Sequence, residues 1–284
     1  MKKLIIPLLM VIMLFCSCGD SQGSSSESTA GASSSSQSSL ADSSSEASSA
    51  ETTTTETTAA TSETTTTTAQ TELTVNKDAP TLMYLGHASL RIVTEQGKVI
   101  YVDPFAGSAY DAPADLILMT HAHADHTGTW RIKNKNKDCQ TITQKEALEG
   151  GKHNSFDLGF VKVQAVEAGY NENHDVKECV GYILTFANGS TVYISGDTSK
   201  TPQMSKMAEM KLDYAFFCCD GEYNMGLEEA AECAKLVGAK HNIPYHNTMN
   251  EANDQFDKEK AEQFDAPNKL VVDSGEQITL EHTA

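Results

Sequence analysis

The sequence predicts an α+β fold: two β-sheets with helices on the outside, preceded by a segment that does not fold. Three observations point there. Short β-prone runs crowd residues 81–120, and strands then mix with helical spacing, with no short internal repeat. Asp115-Leu-Ile-Leu-Met-Thr120 shows little alternation, as expected of a strand covered on both faces. Asn188-Gly189, between two further β-prone runs, is a hairpin signal because its backbone tolerates positive φ.

The chain starts with an address. Met1-Lys2-Lys3 is basic and Leu4 to Phe15 is apolar. As a helix that run would span about 18 Å, short of the roughly 30 Å hydrocarbon core, which favours an export signal over a membrane-spanning helix. Phe15-Cys16-Ser17-Cys18-Gly19 resembles the end of a bacterial lipoprotein signal, with residues 1–17 removed and the thiol of Cys18 lipidated. Cys16 is the weaker candidate. The expectation is an exported protein anchored to the bacterial cell membrane by lipid and facing away from the cytoplasm, with ordinary secretion as the alternative.

Residues 18–78 read as a tether. Between Gly19 and Thr74, 17 Ser and 15 Thr leave almost nothing apolar to offset the entropy of ordering the backbone. A flexible coil of that length reaches about 40 Å, holding a domain clear of a membrane. The composition also suits an O-glycosylated stalk. What remains, residues 79–284, is enough for one core and too little for two.

The charge divides similarly. The whole chain carries −18, of which Gly19 to Asp78 holds −8 while Lys2 and Lys3 add +2, leaving −12 for the folded part. That balance excludes an extended phosphate-neutralising surface, so no nucleic-acid partner is expected. Cys139, Cys179, Cys218, Cys219 and Cys233 are odd in number and contain no C-x-x-C, which reads as buried free thiols rather than a disulfide framework or a zinc knuckle.

Along the folded part, Thr81 to Leu85, Ser89 to Thr94, Lys98 to Val102 and Asp115 to Thr120 are the opening strands. Thr141 to Leu148 suggests a strand running into a helix, and Phe156 to Val166 gives further strands. Val180 to Phe186 and Thr191 to Ser195 flank the hairpin turn. Tyr214-Ala-Phe-Phe-Cys-Cys219 is a buried strand. Leu227, Ala231, Ala234 and Val237 recur at helical spacing, with Glu228 and Glu229 favouring the N-terminal end of a helix over Leu227 to Val237. Strands near Asn242 to Pro244, Leu270 to Val272 and Gln277 to Leu280 close the chain.

The chemistry lies directly after the buried strand, in His121-Ala-His123-Ala-Asp125-His126. Three imidazoles and a carboxylate in a tight loop form a donor set for zinc, iron or manganese, and successive residues can aim at two ions. Distant partners accompany it. Asp197 follows Gly196 at a strand end, His246 ends Ile243-Pro244-Tyr245-His246, and His174 lies in a polar loop after Tyr170. Taken singly, each also reads as a turn former or a surface histidine.

These residues resemble the metallo-β-lactamase superfamily, through His121 to His126, Gly196-Asp197-Thr198 and His246. Within it, Tyr84-Leu-Gly86-His87-Ala-Ser89, Val102-Asp103-Pro104 and Val180-Gly181-Tyr182 are similar to the branch of ascorbate-phosphate lactonase-like metal-dependent hydrolases. The resemblance implies a four-layer αββα sandwich with two divalent metal ions at one edge, zinc in the first place, with manganese or iron as alternatives. By position, His121, His123 and His174 would hold one ion, with Asn171 able to take the place of His174. Asp125, His126 and His246 would hold the other and Asp197 would bridge. Asp103 would buttress the metal loop, and His87 would either join it or be structural.

Two such ions lower the pKa of a shared water and polarise an ester or phosphoryl oxygen. The expected enzyme is therefore a hydrolase of a small-molecule ester, lactone or phosphoester, with Asp125 also accepting the proton. A β-lactam hydrolase and a non-catalytic metal-binding or sensory lipoprotein are the alternatives. Arg131, Lys133, Lys135 and Lys137 either attract an anionic substrate or guard an edge strand.

Overall fold

The computed structural model describes residues 73–249 and 255–282. The expected signal segment, Cys18 and the tether up to residue 72 lie outside them. Two six-stranded sheets dominate. The first holds β1 (Thr81–Gly86), β2 (Ser89–Val93), β3 (Val99–Val102), β4 (Ala114–Leu118) and β5 (Lys135–Ile142), with β12 (Gln277–Thr279) beside β1. The second runs in chain order from β6 (Ser155–Asp157) through β7 (Lys162–Glu167), β8 (Val180–Thr185), β9 (Thr191–Ile194) and β10 (Tyr214–Cys218) to β11 (His241–Tyr245). Among the described residues four α-helices accompany them: α1 (Gln144–Ala147), α2 (Met204–Met207), α3 (Leu227–Val237) and α4 (Lys258–Glu262). This is the α+β sandwich the sequence predicts.

The strand period places the core. In β3, Ile100 and Val102 face a shared interior with Leu82, Leu90 and Leu118 of the first sheet and Tyr182, Ile194 and Phe216 of the second. Burying one such side chain stabilises the fold by about 1.5–3 kcal/mol. Val99 and Tyr101 point the other way, onto a smaller cluster with Tyr110, Ala112 and Ile132. Loop residues therefore cover part of the outer face of the first sheet. In the second sheet α3 lies against β10, presenting Ala230, Ala234 and Val237 and stopping where Gly238 turns at φ +66°.

The hairpin between β8 and β9 turns at Gly189, φ +88°, while the Asn188 carboxamide oxygen accepts the Ser190 N–H and hydroxyl. Two sequence expectations change. The edge strand β5 begins at Lys135 rather than Thr141, pairing in parallel with β4, so Lys135 and Lys137 belong to an exposed strand. Leu270 to Val272 forms no strand; the nearby pairing is a single bridge between Asn242 and Lys269. Helices α2 and α4, of four and five residues, are too short to leave a 3.6-residue signature.

All five described cysteines are free thiols, and only Cys139 is more than marginally exposed. Burial pushes Cys179, Cys219 and Cys233 up to about 12, so their thiolates are scarce at neutral pH. A thiol reagent at pH 7.5 is expected to modify Cys139 within minutes and the other four only after denaturation. Fast labelling at Cys179 or Cys219, mapped by peptide mass, would contradict that packing.

The strands deliver their ends to one place. β3 and β4 are parallel, as are β9, β10 and β11, and β1 runs antiparallel to β2, which in turn opposes β3. The carboxyl ends of β1, β3 and β4 therefore share one edge, and those of β9, β10 and β11 share another. The two edges are tied together: the His246 N–H donates to the His87 carbonyl over 2.9 Å, and the Val180 N–H to the Thr120 carbonyl over 2.9 Å.

Candidate metal centre

All but one of the functional side chains leave the end of a strand; His174 lies in the loop between β7 and β8. His87 follows β1, Asp103 follows β3, the segment Thr120 to His126 follows β4, Asp197 follows β9 and His246 follows β11. His87, Asp103 and His246 have φ of +49°, +42° and +43°, a left-handed conformation that costs a non-glycine residue energy. That strain buys a sharp turn which aims each side chain across the strand ends. Gly196 meets the same demand without a side chain: at φ +62°, a Cβ there would sit 2.7 Å from the Val180 carbonyl.

The centre is the Asp197 carboxylate. Its Oδ2 lies 3.3 Å from His246 Nε2, 3.4 Å from His174 Nε2, 3.5 Å from His126 Nε2 and 4.0 Å from His121 Nε2. Three groups have ligand atoms within 4.8 Å of one another: His121, His123 and His174; His87, Asp125, His126 and His246; and His121, His126 and Asp197. All seven residues predicted as ligands therefore converge, together with both predicted supporting residues, Asp103 and His87.

The outer partners set the tautomers. Asp103 Oδ1 accepts the Thr120 N–H and its Oδ2 accepts the Thr120 hydroxyl, each over 2.7 Å. The Thr120 hydroxyl oxygen is then the acceptor for His121 Nδ1–H at 3.1 Å, and Asp103 Oδ2 accepts His126 Nδ1–H at 3.0 Å. Asn171 Oδ1 accepts both the Asn173 N–H and His174 Nδ1–H. Asn171 thus stands behind His174 and leaves the Nε2 of His174 facing the cluster. In all three rings Nδ1 holds a proton, which leaves Nε2, the atom nearest Asp197, as the nitrogen that can serve a metal ion. The His87 ring centroid lies 3.8 Å from that of His246, the two planes tilted by 40°, and its Nε2 lies 2.9 Å from Asp125 Oδ2.

Burial and charge act against each other here. Burial pushes Asp197 up, yet His246 and His126 hold it well below the usual carboxylate range. Burial pushes His126 down, while Asp197 and Asp103 hold it well above the ordinary imidazole value, and Asp197 raises His246 likewise. His121 is lowered to about 2 by burial and then by repulsion from His126. Burial also pushes Asp125 up, but the bond from His87 holds it below its ordinary value. The donor set fits divalent ions on a separate ground: the Nε2 atoms of His121, His126, His174 and His246, and Asp197 Oδ1, are all buried without a hydrogen-bond partner.

A cavity of about 440 Å³ opens onto Asp125, His174, Asp197 and His246, with the half-exposed ring of Tyr223 at its rim. A second cavity of about 570 Å³ continues past His121 and His123 to Gln144, Lys145, Leu148 and Lys177; His123 and Asn173 line both. Arg131, Lys133, Lys135 and Lys137 line neither. Arg131 instead donates to the Gly107 carbonyl and lies over the exposed Trp130 ring at 4.8 Å. Any cationic contact with a substrate in these cavities therefore comes from Lys145 and Lys177.

Sequence reasoning missed Asp220 and Asn224. Asp220 follows β10 much as Asp103 follows β3 and Asp197 follows β9, so the strand-end aspartate was a usable signal. The position of Asn224, four residues on, is set by the loop alone.

A family model described as "Beta-lactamase superfamily domain" matches residues 81–246. A UPF0173 metal-dependent hydrolase from Bacillus cereus (strain B4264) is 30% identical over 225 residues, 69% of this chain and 98% of its own. A solved structure of a protein proposed to be a metal-dependent hydrolase, from Parabacteroides distasonis ATCC 8503, is similar with TM-score 0.54 and 27% identity, covering 67% of this chain and 91% of that one. The fold also matches Igni18, a metallo hydrolase from Ignicoccus hospitalis KIN4/I, with TM-score 0.54 and 22% identity, over 72% of this chain and all of that one.

Proposed function

The chain belongs to the β-lactamase superfamily, and from that membership we propose that it is a metal-dependent hydrolase of a small ester, lactone or phosphoester. One observation carries the reading: four buried imidazole Nε2 atoms gather within 4.0 Å of Asp197 Oδ2, and neither they nor Asp197 Oδ1 have a hydrogen-bond partner. His121, His123 and His174 would hold one ion, Asp125, His126 and His246 a second, and Asp197 would bridge them. Zinc is the ion proposed, with manganese and iron also suited to nitrogen and carboxylate donors. Such ions supply Lewis acidity and a water of lowered pKa.

The chain's own groups do the rest. Asp103, Thr120 and Asn171 keep the Nδ1 protons in place and so keep the ligand nitrogens free. Asp125, partly exposed and lining the cavity, is the group placed to take a proton from the attacking water. A lactone substrate is favoured by the resemblance of Tyr84 to Ser89 and Val102 to Pro104 to the ascorbate-phosphate lactonase-like branch. Lys145 and Lys177 are the contacts offered to an anionic group, in a lining where Asp175 and Glu178 balance their charge. On residues 1–18 alone, we place the enzyme outside the cytoplasm with Cys18 as its lipid anchor; labelling with a radioactive fatty acid should be lost in Cys18→Ser.

The test of the activity is metal analysis of the purified protein beside a screen of phosphodiester, lactone and β-lactam substrates. Two metals with turnover of a lactone or phosphoester support the proposal. Metal without turnover in any class supports a binding protein, and turnover of the β-lactam alone supports a lactamase.

A further inference from the structure

Asp197 Oδ2 has one neighbour that is not a histidine. The Asn224 carboxamide donates to it over 2.9 Å and, with its other N–H, to Asp220 Oδ2 over 2.7 Å. Both neighbours are carboxylate acceptors, so the group facing them is the NH₂ and not the oxygen. Asp220 is itself fixed. Its Oδ1 accepts the backbone N–H groups of Glu222, Tyr223 and Asn224 over 2.9, 2.7 and 3.2 Å. Its side chain cannot leave without undoing that turn.

The four imidazoles around Asp197 differ in one respect. His121, His126 and His174 each have an acceptor on Nδ1, namely Thr120, Asp103 and Asn171. His246 Nδ1 is buried with no hydrogen-bond partner, and Asp220 Oδ2 faces it at 3.7 Å. That gap exceeds a hydrogen bond by about 0.5–1 Å, a distance a small ring rotation covers.

We propose that Asp220 and Asn224 are positioning residues of the metal centre: Asn224 fixes the Asp197 carboxylate, and Asp220 accepts the Nδ1 proton of His246 when Nε2 turns to a metal ion. This rests on the metal-binding reading above. Asp220 then does for His246 what Asp103 does for His126, and the four buried ligand imidazoles share one arrangement, with an acceptor behind Nδ1 and a lone pair in front. The two residues act differently. Asn224 touches the carboxylate common to both ions, whereas Asp220 reaches a ligand of one.

The experiment is a cobalt(II) titration of the chelator-stripped full chain, followed by visible absorption, for the wild type, Asn224→Ala and Asp220→Asn. Asp220→Asn keeps an acceptor for the backbone turn and sets a donor against Asn224 and His246. It is expected to weaken the equivalent held by His246 about 10–100-fold and shift its d–d bands, with a smaller loss at the other equivalent passed on through Asn224. Asn224→Ala is expected to weaken both. Stripped Asp220→Asn should melt within about 2 °C of the stripped wild type; if it does not fold, Asn224→Ala, which spares the turn, carries the test. Wild-type affinity and spectrum in both variants overturn the proposal while leaving the metal reading intact. A wild type that takes up no cobalt overturns both.

Discussion

Asp197→Ala is expected to abolish stoichiometric metal binding and lower turnover by more than about 100-fold, since losing even an outer hydrogen-bond partner of a ligand costs 10–100-fold. The reason is the crowding at one oxygen: Asp197 Oδ2 is the common neighbour of His126, His174 and His246 within 3.5 Å. His121→Ala removes one nitrogen from one side of the cluster and should leave a residual equivalent of metal. Metal content by atomic emission, with turnover measured on whichever substrate the wild type hydrolyses, checks both. Unchanged metal content in Asp197→Ala and His121→Ala would sink the ligand assignment.

Chelation should lower the melting temperature by about 8–16 °C at pH 8 for each ion removed, because a ligand at 1,000 times its dissociation constant adds about 4 kcal/mol and each kcal/mol moves a domain of this size by about 2–4 °C. The loss depends on pH in a direction the site fixes. In the stripped protein His126 and His246 are raised, so their contribution is complete below about pH 6.5 and fades as pH climbs through their folded values. His87, His121 and His174 are lowered, so they cost stability as pH falls below about 6.5, and depressed Asp197 loses its contribution below about 3.8. The stripped protein is therefore most stable near neutrality and weakens on both sides. Loaded protein holds its ligand imidazoles neutral, so the difference between the two should widen from pH 6 to pH 9. Melting curves with and without chelator across that range decide it; a constant difference would show that the histidines do not titrate against the metal. Asp197→Ala should also weaken the alkaline arm, since Asp197 is the largest cause raising both histidines, while Asp103 still acts on His126 and Asp220 on His246.

The residues that gather around Asp197 were legible because their types and, except for His174, their strand-end positions are local properties. His121 to His126 follow a fully buried strand, and Gly196 marks the turn before Asp197 through a backbone requirement that only glycine meets without strain. Helix α3 was legible over its full length because its apolar residues repeat at 3.6. Other features were not. The start of β5 was hidden because an edge strand with exposed lysines carries no alternation of polarity. His87 could not be assigned from sequence, since its place against Asp125 and His246 depends on the first sheet meeting the second.

By itself, then, the sequence determined the donor set, the strand ends that carry it and the α+β class, because each follows from residue type and short-range spacing. Only the tertiary structure decided which group stands behind each ring. Asn171 backs His174 rather than replacing it, Asp220 and Asn224 flank Asp197 and His246, and the four bases after the metal loop line neither cavity. The physical reason is that a hydrogen bond across two packed sheets depends on their mutual placement to within about 1 Å. That placement is set by the whole core and by no local run of residues.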